Sequence, residues 1–279
     1  MTHGITPRKR FGQHFLTDEN VLERIVNVFH PADNELVLEI GPGSGALTER
    51  LLDRISHLTV VELDRDLAAT LSEKYDSDQL TIVQADILNF EIASVFNCSE
   101  PAGDALPVIA DDLTGQTSKK VRIIGNLPYN ISTPLLFHLL KSVEHIQDMV
   151  FMLQKEVAQR LSAAPGSKIY GRLSVMAALE LDCQCLFDVP SQAFEPPPKV
   201  ESTVIRLTPT PLSRAASHLI HDRNRLNEIV KLAFAQRRKT LRNSLQQLVS
   251  DAQFENARVD SSKRAENLTV DQFIQLSNA

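Results

Sequence analysis

Asn126-Leu127-Pro128-Tyr129 sets hydrogen-bond acceptors beside an aromatic ring within four residues. It follows Val121-Arg122-Ile123-Ile124-Gly125, an apolar run that reads as a strand. An Asn at a strand end offers an amide oxygen that accepts hydrogen bonds. The residue before Pro128 is pushed away from helical backbone, so the turn can leave carbonyls facing outward. Acceptors next to the flat ring of Tyr129 could hold an extruded nucleobase that presents an exocyclic amine. Taken alone, the tetrapeptide reads equally well as a proline turn with a buried tyrosine.

The second chemical motif is Glu39-Ile40-Gly41-Pro42-Gly43-Ser44-Gly45, preceded by Leu36-Val37-Leu38. An apolar strand runs into a glycine turn, and Ala46 to Leu52 has helical spacing. Glycines at Gly41 and Gly43 allow backbone to approach a ligand closely. The next strand, Leu58-Thr59-Val60-Val61, ends at Glu62, suited to ribose hydroxyls. A third strand, Leu80-Thr81-Ile82-Val83, is followed by Asp86, suited to an adenine amine. Open α/β sheets bind ligands at the C-terminal ends of their strands. A lone glycine loop says little, but three successive strand ends carrying ligand-type residues point to a nucleoside-containing cofactor.

These motifs need a parallel sheet to hold them, and the pattern supplies one. Residues 36–90 alternate strand and helix, the mark of βαβ units. Asp18 to Phe29 has helical periodicity, with Thr17 as N-cap. The stretch Asn97–Lys120, rich in Pro, Gly, Asp, Ser and Thr, breaks the rhythm as a surface excursion. The sheet resumes at Val121. Thr133-Pro134 reads as a helix start with Pro at the first helical position. Met149–Leu153 reads as a strand, Lys155–Leu161 as a helix and Val204–Leu207 as a closing strand. Phe194 sits just before Pro196-Pro197-Pro198, which stiffen an extended loop. Beyond a linker at Thr208–Pro211, residues 222–248 and 251–276 read as helices, which sets a boundary near residue 210. The expected domains are 1–210 and 211–279.

With 279 residues the chain can hold one large domain and a small one. No apolar stretch approaches membrane-spanning length, and the N-terminus lacks the apolar segment of a signal peptide. Cys98, Cys183 and Cys185 read as reduced core thiols, and the histidines show no ligand spacing. A cytoplasmic, metal-independent protein fits. The formal charge is −6, but residues 1–210 carry a balance of −10 and residues 211–279 a balance of +4. Arg237-Arg238-Lys239 with Arg242, and Arg8-Lys9-Arg10, are basic clusters that could grip phosphates on an otherwise acidic chain. A solvated helix face is the plain alternative for either cluster.

Along nearly its full length the chain resembles the ribosomal RNA adenine dimethyltransferases, in particular the branch that dimethylates two adjacent adenines near the 3′ end of 16S rRNA. The matching segments are Lys9–Leu16, Glu39–Thr48, Val61–Asp66, Asn126–Pro134, Phe151–Glu156, Tyr170–Val175, Phe194–Val200 and Phe234–Leu245. The resemblance implies an α/β class I methyltransferase (Rossmann-like) fold, a mixed seven-stranded sheet with helices on both faces, followed by a small C-terminal helical domain that binds RNA. It implies S-adenosylmethionine as cofactor and 16S rRNA, within the small ribosomal subunit or its precursor, as partner of a monomer. Carried over by position, the cofactor contacts fall on Gln13, His14, Leu16, Gly41, Gly43, Glu62, Asp86 and Asn126. Leu16 and the residue before the glycine turn would flank the methionine part. His14 stands where the family commonly has Asn, and the 97–120 insert is longer than the family's pattern.

The N6 amine of adenine is a poor nucleophile because its lone pair is delocalised into the ring. The Asn126 side-chain oxygen and the Leu127 carbonyl are expected to accept its protons, in a turn shaped by Pro128. Tyr129 would stack on the base and Phe194 would close its other face. Arg237 and Arg238 would contact RNA phosphates. Three other readings compete. A dinucleotide-dependent oxidoreductase shares the glycine loop and Glu62 but leaves Asn126–Tyr129 and the basic tail unexplained. A large-subunit rRNA adenine methyltransferase shares the chemistry, and Phe234–Leu245 with Pro196–Lys199 weigh against it. A ribosome-assembly factor that only binds could coexist with catalysis.

Overall fold

The computed structural model describes residues 14–98, 120–210 and 219–279. Gln13, the cluster Arg8-Lys9-Arg10 and nearly all of the 97–120 insert lie outside them. The strands are β1 (Phe15–Leu16), β2 (Leu36–Ile40), β3 (Leu58–Glu62), β4 (Leu80–Gln84), β5 (Val121–Asn126), β6 (Ile146–Gln154), β7 (Leu181–Val189), β8 (Phe194–Glu195) and β9 (Ser202–Pro209). The helices are α1 (Glu19–Phe29), α2 (Ala46–Leu52), α3 (Arg65–Lys74), α4 (Val95–Cys98), α5 (Ser132–Leu139), α6 (Lys155–Leu161), α7 (Arg172–Ala178), α8 (Arg223–Ala235), α9 (Leu241–Ser244), α10 (Asp251–Asn256) and α11 (Val270–Asn278).

Seven strands form one sheet in the order β4-β3-β2-β5-β6-β9-β7, and β1 pairs with β8 in a separate antiparallel ribbon. The pairs β3–β4, β2–β3, β2–β5 and β5–β6 are parallel. The apolar runs of β2, β3, β5 and β6 are largely buried, as strands covered by helices on both faces must be, whereas the edge strand β4 buries only Leu80 fully. The Lys155 N–H, just past β6, donates to the Glu201 carbonyl, just before β9. The start of β9 thus lies beside the end of β6, so these two strands run in opposite directions and the sheet is mixed.

Two compact units emerge: Met1–Lys155 with Leu186–Arg206, and Glu156–Cys185 with Leu207–Ala279. The boundary expected at residue 210 does not describe them, because the second unit also takes in residues 156–185. The first unit has a core around Leu22, Phe29, Leu51, Leu58 and Val60. The second has its own, around Tyr170, Ile229, Leu241 and Phe273. Among the described residues no helix is long and apolar enough to cross a membrane.

Several local expectations change. Asp18, not Thr17, caps α1: its carboxylate accepts from the N–H groups of Asn20 and Val21, at 2.9 and 3.1 Å. Thr17 instead donates to the Ala193 carbonyl. Pro134 is the third residue of α5, not the first. β7 is a strand that the sequence reading does not single out, although Leu181-Asp182-Cys183-Gln184-Cys185 alternates apolar and polar residues. The long tail helices are broken. Gln236–Thr240 separates α8 from α9, and Arg258, with a φ of 54°, lies in the turn beyond α10.

Candidate active site

In the first unit a cavity of about 200 Å³ lies along the C-terminal ends of the parallel strands. Its lining includes His14, Leu16, Gly41, Gly43, Glu62, Asp86, Asn126, Leu127, Pro128 and Tyr129. Adjacency in the sheet sets their order. Asp86 comes after β4, Glu62 ends β3, the glycine turn comes after β2 and Asn126 ends β5. The parallel register therefore arranges these positions as a row, which one extended ligand could span.

The glycine turn is held from both sides. The Gly41 N–H donates to the Val61 carbonyl at 2.9 Å, and the Gly43 N–H donates to Glu62 Oε2 at 3.1 Å. Gly41 has a φ of +66°, and a Cβ built there would meet no atom within 4 Å. It thus borders open space, with a backbone conformation that side-chain-bearing residues rarely adopt. Gly125 marks the opposite case: a Cβ there would sit 2.5 Å from the Ile40 carbonyl oxygen, so β5 can approach the end of β2 only as glycine.

Glu62 is 6% exposed, and its other oxygen accepts from the Asp64 N–H at 2.8 Å. Burial raises its pKa, against the pull of these backbone donors. Asp86 accepts from the Leu88 N–H at 3.0 Å and from Asn89 Nδ2 at 3.1 Å, so each oxygen already carries one local bond. A ligand donor must use the remaining lone pairs.

Glu39, which opens the glycine motif but is given no role there, also lines the cavity. It is 1% exposed, and Thr48 Oγ1 donates to its Oε2 at 2.7 Å. Burial, with a smaller push from Glu62, raises its pKa to about 8. The signal available is an acidic residue inside an otherwise apolar strand, two positions before Gly41.

At the far end of the row, Asn126 Nδ2 donates to the His14 backbone carbonyl at 3.2 Å. A carbonyl can only accept, so the amide orientation is fixed. The Leu127 N–H donates to the Met152 carbonyl at 3.3 Å, and the Pro128 carbonyl accepts from the Ile131 N–H and from Ser132 Oγ, each at 3.1 Å. Among the described residues no donor takes the Leu127 carbonyl. The His14 ring lies 5.7 Å from the Tyr129 ring at an interplanar angle of 29°, while its Nδ1 donates to the Pro196 carbonyl at 2.7 Å. The proline loop thus engages the Nδ1 side of the His14 ring. The Tyr129 hydroxyl meets Ser202 Oγ at 2.8 Å.

Two expected contacts are placed elsewhere. Phe194 does not line the cavity. It is 3% exposed and pairs with Leu16 across the β1–β8 ribbon, so its ring belongs to the core. In the second unit, one Arg237 nitrogen donates to the carbonyls of Lys168 and Tyr170, at 2.7 and 3.1 Å, and lies 3.4 Å from Glu266. Arg238 and Lys239 are exposed, and neither forms an ion pair among the described residues.

A model of the ribosomal RNA adenine dimethylase family matches residues 4–279. This chain belongs to that family. It is an S-adenosylmethionine-dependent rRNA adenine methyltransferase, as its motifs implied. It is 44% identical over 271 residues to the ribosomal RNA small subunit methyltransferase A of Aromatoleum aromaticum (strain DSM 19018 / LMG 30748 / EbN1), covering 97% of this chain and 93% of the relative. It is 46% identical over 276 residues to the protein of that name from Coxiella burnetii (strain RSA 331 / Henzerling II), covering 97% and 96%. A dimethyladenosine transferase from Plasmodium falciparum shares the fold, with a TM-score of 0.71 at 23% identity over 94% of this chain and 96% of that one. The 23S rRNA methyltransferase ErmE shares it too, with a TM-score of 0.65 at 24% identity over 95% and 98%. Membership in the family removes the oxidoreductase reading.

Proposed function

We propose that this enzyme methylates N6 of two adjacent adenines near the 3′ end of 16S rRNA, giving N6,N6-dimethyladenine in the small ribosomal subunit or its precursor. The single observation that carries the chemistry is the orientation of the Asn126 amide. With Nδ2 held by the His14 carbonyl, Oδ1 is the atom left to accept from an exocyclic amine. The choice of small-subunit rRNA rests on the names of the relatives at 44% and 46% identity. A role in subunit maturation, action as a monomer and a cytoplasmic location complete the reading.

The cavity suits an adenosyl cofactor. Open space beside Gly41 leaves room for it, Glu62 retains lone pairs for ribose hydroxyls, and Asp86 retains them for an adenine amine. Leu16 and Ile40 offer apolar walls for its methionine part. When bound, S-adenosylmethionine supplies an electrophilic methyl group on a sulfonium. The chain's own task is to present the amine lone pair. Asn126 Oδ1 and the Leu127 carbonyl accept its two protons, which favours a tetrahedral nitrogen over one conjugated with the ring. Tyr129 stacks on the base, worth roughly 1–3 kcal/mol for base–aromatic contacts. Positioning is the main contribution, and well-oriented reactants can gain about 7–11 kcal/mol. Solvent takes the released proton, and the pocket readmits the monomethylated base. The helical tail, residues 211–279, serves RNA binding through Arg238 and Lys239, with Arg237 bracing their loop.

Mapping dimethyladenines in rRNA from cells with and without this protein tests the reading. Loss of both modified 16S positions is expected. Their persistence, or loss of a modified 23S position instead, would overturn it.

A further inference from the structure

We infer that Ser202 is a positioning residue for methyl transfer, acting through the hydroxyl of Tyr129. The inference rests on the proposed role of Tyr129 as the platform for the target base. The two hydroxyls lie 2.8 Å apart. Ser202 is fully buried and does not line the cavity, whereas Tyr129 is half-buried and does. Ser202 is thus placed to touch the platform but not the base.

Its neighbours make it a fixed anchor. The Glu201 carbonyl accepts from the Lys155 N–H at 3.0 Å, and its carboxylate accepts from Lys155 Nζ at 2.8 Å. Thr203 Oγ1 donates to Asp188 Oδ1 at 2.6 Å, and Lys155 Nζ also reaches Asp188 Oδ2 at 2.8 Å. The residues on both sides of Ser202 are therefore tied to the end of β6 and to β7. Tyr129, by contrast, sits in a turn outside the strand ladder. A tyrosine ring has two torsions to fix. The hydroxyl oxygen lies on the axis of the second torsion, so its bond to Ser202 fixes the first torsion and the ring's position, while the stacked His14 ring sets the ring's plane. A ring so held defines the plane in which a base must lie for its amine to meet Asn126 and Leu127. Without the bond, the base should still bind but should align with the two acceptors less often. The deficit then falls on kcat rather than on KM.

The test compares the parent enzyme with Ser202→Ala, Ser202→Thr, Tyr129→Phe and the double variant Ser202→Ala/Tyr129→Phe. Each is checked for folding by thermal melting and assayed on small subunits lacking dimethyladenine. Ser202→Ala should lower kcat about threefold to tenfold, the range one neutral hydrogen bond supports. KM and cofactor affinity should stay within about twofold of the parent. Tyr129→Phe should do the same, and the double variant should be no worse than either, because all three remove one bond. Ser202→Thr should restore activity. Additive losses in the double variant, or parental kcat in Ser202→Ala, would overturn the inference.

A second readout needs no turnover. The chain has three tyrosines. In NMR spectra of ring-labelled protein, Tyr129→Phe identifies the Tyr129 signal, and Ser202→Ala should shift or broaden that signal alone. An unchanged Tyr129 signal in folded Ser202→Ala sinks the inference. An inactive parent with a shifted signal instead removes the proposed function and leaves the anchor standing.

Discussion

Asn126 donates its side-chain nitrogen to the backbone carbonyl of His14, 3.2 Å away and 112 residues earlier in the chain. The contact spends the donor half of the amide on the protein and reserves the acceptor half for a ligand. Asn126→Ala should therefore lower single-turnover methylation by about 100-fold or more, the scale seen when one preorganised partner of a developing charge is removed. RNA binding, measured by filter retention, should stay within about threefold. Normal methylation by the folded variant would remove Asn126 from the chemistry.

Because the acceptor on His14 is its main chain, the identity of that side chain should matter little to Asn126. His14→Asn places at this position the residue that the family resemblance implies. It should keep kcat within about fivefold, since a neutral hydrogen bond contributes only about 1 kcal/mol. Any decrease should trace to the ring contacts with Tyr129 and the Pro196 carbonyl. A hundredfold drop in steady-state turnover would show that the imidazole itself takes part.

Glu62 binds the glycine turn through the Gly43 N–H as well as facing the cavity. Its replacement should hurt twice, by removing a charged acceptor and by freeing the turn. Glu62→Ala should weaken S-adenosylmethionine binding by at least about 1.5–3 kcal/mol, the range for a hydrogen bond to a charged group. Isothermal calorimetry on the folded variant reads this directly, and unchanged affinity would place Glu62 outside the site.

Glu39 predicts a pH dependence with a definite sign. Its pKa is raised by burial from 4.5 to about 8, so the folded chain holds the proton more tightly than the unfolded one. The contribution is then full below pH 4.5 and is lost as pH rises toward 8, by up to about 1.4 kcal/mol per pH unit for a single group. Glu39→Gln keeps an acceptor for Thr48 without the titration. Denaturation curves at several pH values should show the parent losing stability relative to Glu39→Gln across this window. A constant difference between the two proteins would mean that Glu39 is ionised throughout.

Much of the site is legible in the sequence because it sits on strand ends. Gly41, Glu62, Asp86 and Asn126 each stand at or just beyond the end of an apolar run, and the parallel register then forces them into one row. The long-range partner that each polar atom takes is not legible. The preference of Asn126 for the His14 carbonyl, the bond from Tyr129 to Ser202 and the burial of Phe194 against Leu16 all depend on contacts across 73 residues or more, set by tertiary packing. The tail departs from its pattern for a related reason. The helix expected over residues 222–248 crosses Gln236–Thr240, a run with no apolar residue to pack, and there the carbonyls of Lys168 and Tyr170 hold Arg237 in the turn that ends α8.

That turn also decides which charges are free to meet RNA. Arg237 is committed to two carbonyls and Glu266, and Arg242 to Asp251 at 2.6 and 2.9 Å. Arg238 and Lys239 are exposed beside them. Charge reversal at Arg238 and Lys239 should weaken binding to small subunits and flatten its salt dependence, by a slope of about 0.7–0.9 for each phosphate no longer neutralised. Cofactor affinity should not move, since the cavity is built from the first unit. Arg237→Glu should behave differently: it removes donors from two backbone carbonyls, so a lower melting temperature should accompany any weakening of binding. Salt titrations of the parent, the Arg238/Lys239 variant and the Arg237 variant separate the two roles. Identical titrations for the parent and the Arg238/Lys239 variant would move the RNA contact off this loop.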